Sequence, residues 1–260
     1  MQSANAAVII AGNPSSLAPS SAGWSWDGFE HSELRSALED PLNFGSGGIG
    51  GSQAISTVDL TIVDAASLAG VDVFVSSWWL DTESAPFDQD VVDWFLAGGD
   101  LVLLQDDPNR DGISTLLGFE TQNGTSNPTT VSGALGNGPF GSVAPVNQAG
   151  NIGHFDNGTL TGLGGDILGL DAAGQATIVT FAPGTFSPTS GSLVALADVD
   201  LISGVFGGAE FGPGINDKGR LALNVFASLD AVAVPEPATV ALIGIGLLGI
   251  GVVSRRRRQV

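Results

Sequence analysis

Three apolar runs limit the folds open to this chain: residues 58–63 (VDLTIV), 71–75 (VDVFV) and 101–104 (LVLL). Each is short, aliphatic and bounded by turn-forming residues, which is the pattern of buried strands. Between the second and third lie residues 86–96. There Phe87, Val91, Trp94 and Phe95 fall at i, i+4, i+7 and i+8 and define one apolar helix face. Pro86 suits the first turn of that helix and Gly98-Gly99 its end. Apolar strands alternating with helices predict an α/β domain with a mostly parallel sheet covered on both faces.

The flanking chain extends the pattern. Residues 6–12 read as a strand, and residues 29–38 as a helix stopped by Asp40-Pro41. Residues 65–69 and 113–117 read as short helical turns, and residues 176–181 and 193–198 as strands. Residues 216–229 predict a helix capped by Asn216 or Asp217. From 121 to 174 the periodicity dissolves into Gly, Asn, Thr and Pro, so an irregular, β-rich insertion is expected inside a single domain spanning 1–233.

Charge narrows the partners. Up to Val234 the chain carries 4 basic and 26 acidic residues, a net charge of −22, so this body repels phosphate backbones and nucleic acid is excluded. With no cysteine, disulfides, thiolate metal sites and a cysteine nucleophile are excluded as well.

Candidate chemistry is sparse. Asp107-Pro108-Asn109-Arg110-Asp111-Gly112 matches the first half of a calcium loop, where Asp107, Asn109 and Asp111 would converge on one hard cation. Gly118 stands where the bidentate Glu belongs, and Arg110 subtracts charge. The alternative is a turn in which Asp111 caps the next helix. Two G-x-G-x-x-G strings, at 45–50 and 244–249, lack the strand–turn–helix setting that gives the motif meaning. His31 and His154 are expected to be polar surface residues. A hydrolase built from Ser76 or Ser77 with either histidine would lack a nucleophile elbow. Trp78-Trp79 follows a predicted strand, where α/β folds place ligand crevices and a tryptophan can stack on a sugar. No catalytic residue and no bound cofactor is assigned, calcium being the one open option.

The tail carries the sharpest signal. Val234-Pro235-Glu236-Pro237 is followed by 238–253, an uncharged apolar run, and then by Ser254 and Arg255, Arg256, Arg257 and Arg258. As a helix, the apolar run spans ~24 Å, short of the ~30 Å hydrocarbon core. The arginines would hold their end on the cytoplasmic side and leave the body outside. Met1 to Ala7 has no basic or apolar leader, but Ala4-Asn5-Ala6 reads like the end of one, so a signal peptide upstream of Met1 is expected.

This order of features over 234–258 resembles a PEP-CTERM sorting signal. The resemblance implies a Gram-negative protein that is exported and held briefly in the inner membrane. An exosortase-type membrane enzyme would then process it for the cell surface or extracellular matrix, in association with exopolysaccharide. Pro235, Glu236 and Pro237 would be the recognition motif, a transmembrane-type helix would cover 238–253, and the four arginines would form the stop. Residues 97–104, and 193–200 followed by 216–229, resemble the class I glutamine amidotransferase-like, flavodoxin-like α/β domain. That resemblance implies a fold without its activity, because the turn comparable to the nucleophile's is Gln105-Asp106-Asp107. The expectation is a non-enzymatic exported protein. The alternatives are a secreted hydrolase and a calcium-dependent adhesion module.

Overall fold

The computed structural model describes residues 6–150 and 152–229. The sorting tail, with Pro235, Glu236, Pro237, the apolar run 238–253 and Arg255 to Arg258, lies outside the described residues.

The first half of the chain builds the parallel core. Strands β1 (Val8–Gly12), β2 (Ile55–Thr57), β3 (Val73–Ser77) and β4 (Asp100–Leu104) alternate with helices α1 (Ser32–Glu39), α2 (Ala65–Leu68), α3 (Asp81–Ser84), α4 (Asp88–Leu96) and α5 (Gly112–Leu116). Next come β5 (Thr121–Asn123), β6 (Thr130–Val131), α6 (Gly133–Gly136), the hairpin β7 (Asn137–Gly138) and β8 (Gly141–Ser142), and β9 (Gly153–Phe155). The last elements are α7 (Asn157–Gly162), β10 (Asp166–Leu170), β11 (Ala176–Phe181), β12 (Leu193–Leu196) and α8 (Asp217–Ala227). The main sheet runs β2-β1-β3-β4-β12-β11-β10-β6, with β9 also pairing β11 and β5 pairing β9. Strands β2, β1, β3, β4 and β12 are mutually parallel.

Alternation along each strand sorts the core into two layers. Val102 and Leu104 join Leu34 and Leu38 of α1 and Leu221, Val225 and Phe226 of α8 on one face. Leu101 and Leu103 join Leu68 of α2, Val91 and Phe95 of α4 and Ile113 of α5 on the other. Asn216 caps α8 by accepting from the Gly219 amide at 2.9 Å.

Three expectations change. The strand expected at 58–63 lies earlier, at Ile55–Thr57. The ladder closes with the Val58 amide donating to the Ile10 carbonyl (2.9 Å), while Glu39 accepts from the Thr57 amide (2.8 Å) and hydroxyl (2.7 Å). An apolar alternation therefore runs on as exposed loop, with Ile62 47% accessible. Second, the sheet is mostly parallel as expected but gains an antiparallel side, because β11 runs antiparallel to β12. The link at 182–192 is short, carries Pro183, Gly184, Pro188 and Gly191, and holds no crossover helix, so only an antiparallel return is open to it. Third, residues 121–174 are no detached insertion. Strands β6 and β10 extend the main sheet, and β9 lies against β11.

Candidate functional site

In an open α/β sheet, ligands favour the carboxyl ends of strands near the point where connections change side, here between β1 and β3. That crevice is filled by the chain itself. The Asn13 side chain bridges the two strands, donating to the Ser77 carbonyl at 3.0 Å and accepting from the Ser77 amide at 2.7 Å. Trp26 closes over them and is 1% accessible, its ring 5.8 Å from His31 and 6.1 Å from Phe226. Gly12 permits this closeness: a Cβ there would stand 2.5 Å from the Trp26 Cβ and 2.4 Å from the Val75 carbonyl oxygen.

Both histidines are buried, against the expectation of surface positions. The loop before α1 folds inward and carries His31 to the end of β3, where its Nε2 lies 2.6 Å from the Ser77 Oγ. The Ser77 hydroxyl donates to the Trp24 carbonyl at 2.6 Å, so the imidazole is the donor to Ser77. This is the reverse of a serine nucleophile activated by a histidine base. The other ring nitrogen, Nδ1, has no partner, so no carboxylate orients the ring. Burial, with Arg35 nearby, lowers the His31 pKa to about 4, which keeps it neutral. His154 is held by the Gly124 carbonyl and by Gln175 Nε2 at 2.9 Å, between β9 and its neighbours.

The accessible part of this end is an aromatic mouth. Trp24 lies 5.4 Å from Trp78 and 5.5 Å from Phe206, centroid to centroid. The two tryptophans are half-buried and Phe206 is 61% accessible. Trp78 has φ of 46°, a left-handed conformation unusual for a bulky residue and one that proteins concentrate at functional positions. Two contacts hold it there: its indole N–H donates to Asp106 Oδ2, and the Arg110 guanidinium stacks 3.9 Å above its ring.

Beneath the mouth is a nest of buried carboxylates that the sequence reading did not single out. Asp106 follows β4, Asp198 and Asp200 follow β12, and Glu30 precedes α1; all four are buried. Asp106 accepts from the Val199 amide, Asp198 from the amides of Ala149 (2.9 Å) and Asp200 (2.7 Å), and Asp200 from the Ser203 hydroxyl (2.8 Å). Burial and mutual repulsion push Asp106 and Asp198 well above the usual carboxylate range, and Asp200 up to about 6. Lys218 reaches in from α8, but its ammonium binds the carbonyls of Asp200 (2.8 Å) and Gly207 (2.7 Å). The signal for these residues was acids placed just beyond apolar strands, Gln105-Asp106-Asp107 and Asp198-Val199-Asp200.

Of the expected calcium residues, all beside the mouth, Asp107 and Asn109 share one cavity while Asp111 turns to the Thr121 amide. Asp107 pairs with Arg110 and accepts from the Asn109 amide at 2.8 Å. Asp111 precedes α5 without capping it and accepts from the Thr121 amide at 2.8 Å. Among the described residues, no group of three or more histidine or acidic side chains is placed to hold a metal ion. Asp107 and Asn109 instead line, with Asn123, Gly124, Gly150 and Ile152, an open cavity of about 350 Å³. A Cβ on Gly150 would be 3.7 Å from the Phe206 ring, so this polar cavity adjoins the aromatic mouth. A second cavity of about 400 Å³ lies at the opposite strand ends, around Leu168, Phe181 and Leu193.

Among the described residues, no helix is long and apolar enough to cross a membrane. No curated protein matches the sequence. Solved structures give distant matches. An exo-β-1,4-mannosidase of Opitutaceae bacterium strain TAV5 is 13% identical over 75% of this chain, with a TM-score of 0.44. The chain spans 32% of that enzyme's length. A β-galactosidase of Rahnella sp. R3 is 13% identical over 85% of this chain and 30% of its own, with a TM-score of 0.46. A cytoplasmic protein of Salmonella typhimurium LT2 (STM1381) is 12% identical over 86% of this chain and 99% of its own, with a TM-score of 0.49. No property is carried over from these three. The informative match is in the tail, where residues 233–258 fit the PEP-CTERM protein-sorting motif. The chain thus carries the address of an exported protein that an exosortase-type enzyme recognises and processes at the membrane.

Proposed function

We propose that this is a non-enzymatic, exosortase-sorted surface or matrix protein whose body binds neutral polysaccharide at the Trp24–Trp78–Phe206 mouth. The observation that carries the reading is the mouth itself: three clustered aromatic rings beside an open cavity edged by Asp107, Asn109 and Asn123. Sugars present axial C–H groups to aromatic faces and hydroxyls to side-chain amides and carboxylates, and this pairing supplies both. The strong negative charge of the body favours an uncharged glycan over a uronate polymer. The filled switch-point crevice and the inverted His31–Ser77 hydrogen bond favour binding over hydrolysis.

Affinity electrophoresis of the full chain through gels containing laminarin, glucomannan or alginate tests this. Retardation by a neutral polymer is expected, and it should disappear in a Trp24→Ala/Phe206→Ala double variant. Unaltered mobility of the native chain in every neutral gel would overturn the reading, as would equal retardation of the double variant.

A further inference from the structure

The two outer aromatics of the mouth hang on one buried acid nest. The Trp78 indole N–H is bonded to Asp106, and the Phe206 backbone amide is bonded to Glu30 at 2.9 Å. Asp106 and Asp198 are joined at the strand ends, because the Val199 amide next to Asp198 donates to Asp106. Asp198 in turn holds the Ala149 amide, one residue from the Gly150 wall of the cavity. Trp78, Phe206 and the Gly150 wall are therefore tied to the same group of carboxyls.

We infer that the protonation state of this nest sets the geometry of the mouth, so that the aromatic site is assembled at acidic to neutral pH and loosened in alkaline conditions. This rests on the reading of the mouth as the binding site. Asp106, Asp198 and Asp200 face the nest from the ends of β4 and β12, Glu30 from the turn before α1, and Lys218 from α8. Arg110, nearly buried over the Trp78 ring, is matched by its own partner Asp107, and neutral His31 is turned toward Ser77. Apart from Arg110, which Asp107 already neutralises, Lys218 alone answers four acids, and it is engaged with carbonyl oxygens. A proton held by the Asp106–Asp198 pair relieves the repulsion, and burial keeps it there past neutrality. Once it is lost, two adjacent carboxylates are driven apart. Trp78 is already in a left-handed backbone conformation and bonded directly to one of them, so it moves with Asp106.

The test uses full-length protein labelled with ¹⁵N-tryptophan, the Trp78 indole signal being assigned through Trp78→Phe. A single transition of that signal between pH 5 and 9.5 is expected, with its midpoint above 7, absent from Asp106→Asn. Should that variant not fold, Asp198→Asn removes the repulsion between the pair and should move the transition to lower pH, because Asp106 stays buried and bonded to the indole. A Trp78 signal unmoved by pH, or titrating equally in the folded variants, would overturn the inference. In parallel, the Kd for laminarin and glucomannan should be at least tenfold weaker at pH 9 than at pH 6. Equal affinity at both pH values would also overturn it. The indole transition without affinity for either glycan would leave the switch standing and remove the glycan reading alone.

Discussion

His31 and Ser77 meet at 2.6 Å, Nε2 to Oγ, with neither side chain accessible to solvent. The contact has the composition of a catalytic dyad and the wiring of a structural clamp. The Ser77 hydroxyl donates a hydrogen bond to the Trp24 carbonyl, so the clamp fixes the loop that carries the mouth. Ser77→Ala would leave a buried imidazole N–H unsatisfied, which costs ~1–3 kcal/mol. Chemical denaturation should register that loss. A variant as stable as the native chain would show that the clamp carries no load.

Stability should fall as pH rises above neutrality. Folded Asp106 and Asp198 hold protons that the unfolded chain has released, so their contribution is full below the ordinary carboxylate range and declines upward through their raised values. His31 acts in the opposite sense: its folded pKa of about 4 is depressed, so its contribution is present above the unfolded value and lost as pH falls. Between pH ~7.5 and ~9 the unfolded histidine is neutral, the carboxyls raised only to about 6 are ionised, and the Asp106–Asp198 pair dominates the slope. Thermal melts over that window should show a declining Tm, and the decline should flatten in Asp106→Asn.

Trp26 is the plug of the switch-point crevice. Trp26→Ala would empty a space bounded by Gly12, His31 and Phe226 and should cost ~3–5 kcal/mol. Guanidinium unfolding measures this directly. A loss under ~1 kcal/mol would mean that the crevice is not filled as described.

The tail prediction is independent of the body. In a host with an exosortase, the native chain should lose its C-terminal segment, and intact-mass measurement should report a product shorter than the full chain. Replacing Pro235, Glu236 and Pro237 with alanine should leave the chain unprocessed. Processing unchanged by the triple substitution would remove the recognition role of those residues.

Much of the core was legible because its residues answer to one rule. In residues 101–104 and 193–196 every side chain is buried on one face or the other, so continuous apolar runs announce parallel strands. In the antiparallel half β11, at 176–181, was legible as a strand, but its neighbours were not. Strand β10 reads Asp-Ile-Leu-Gly-Leu and β6 has two residues, and such segments are placed by their partners rather than by their own pattern. The histidines were misjudged because burial of an imidazole depends on a loop trajectory. Asp106, like the expected calcium residues, follows strand β4 in sequence. Which carboxylate turns inward to Trp78 and which outward to Arg110 is decided only by the folded backbone.

The central claim is a body that holds neutral glycan without cutting it. The most direct measurement incubates the full-length protein with the neutral polysaccharide that retards it, then follows complex formation and polymer chain length in the same sample. The account predicts a stable complex with chain length unchanged. Shortening of the polymer by the native chain but not by Ser77→Ala would contradict it, and would return His31 and Ser77 to the role that their composition first suggests.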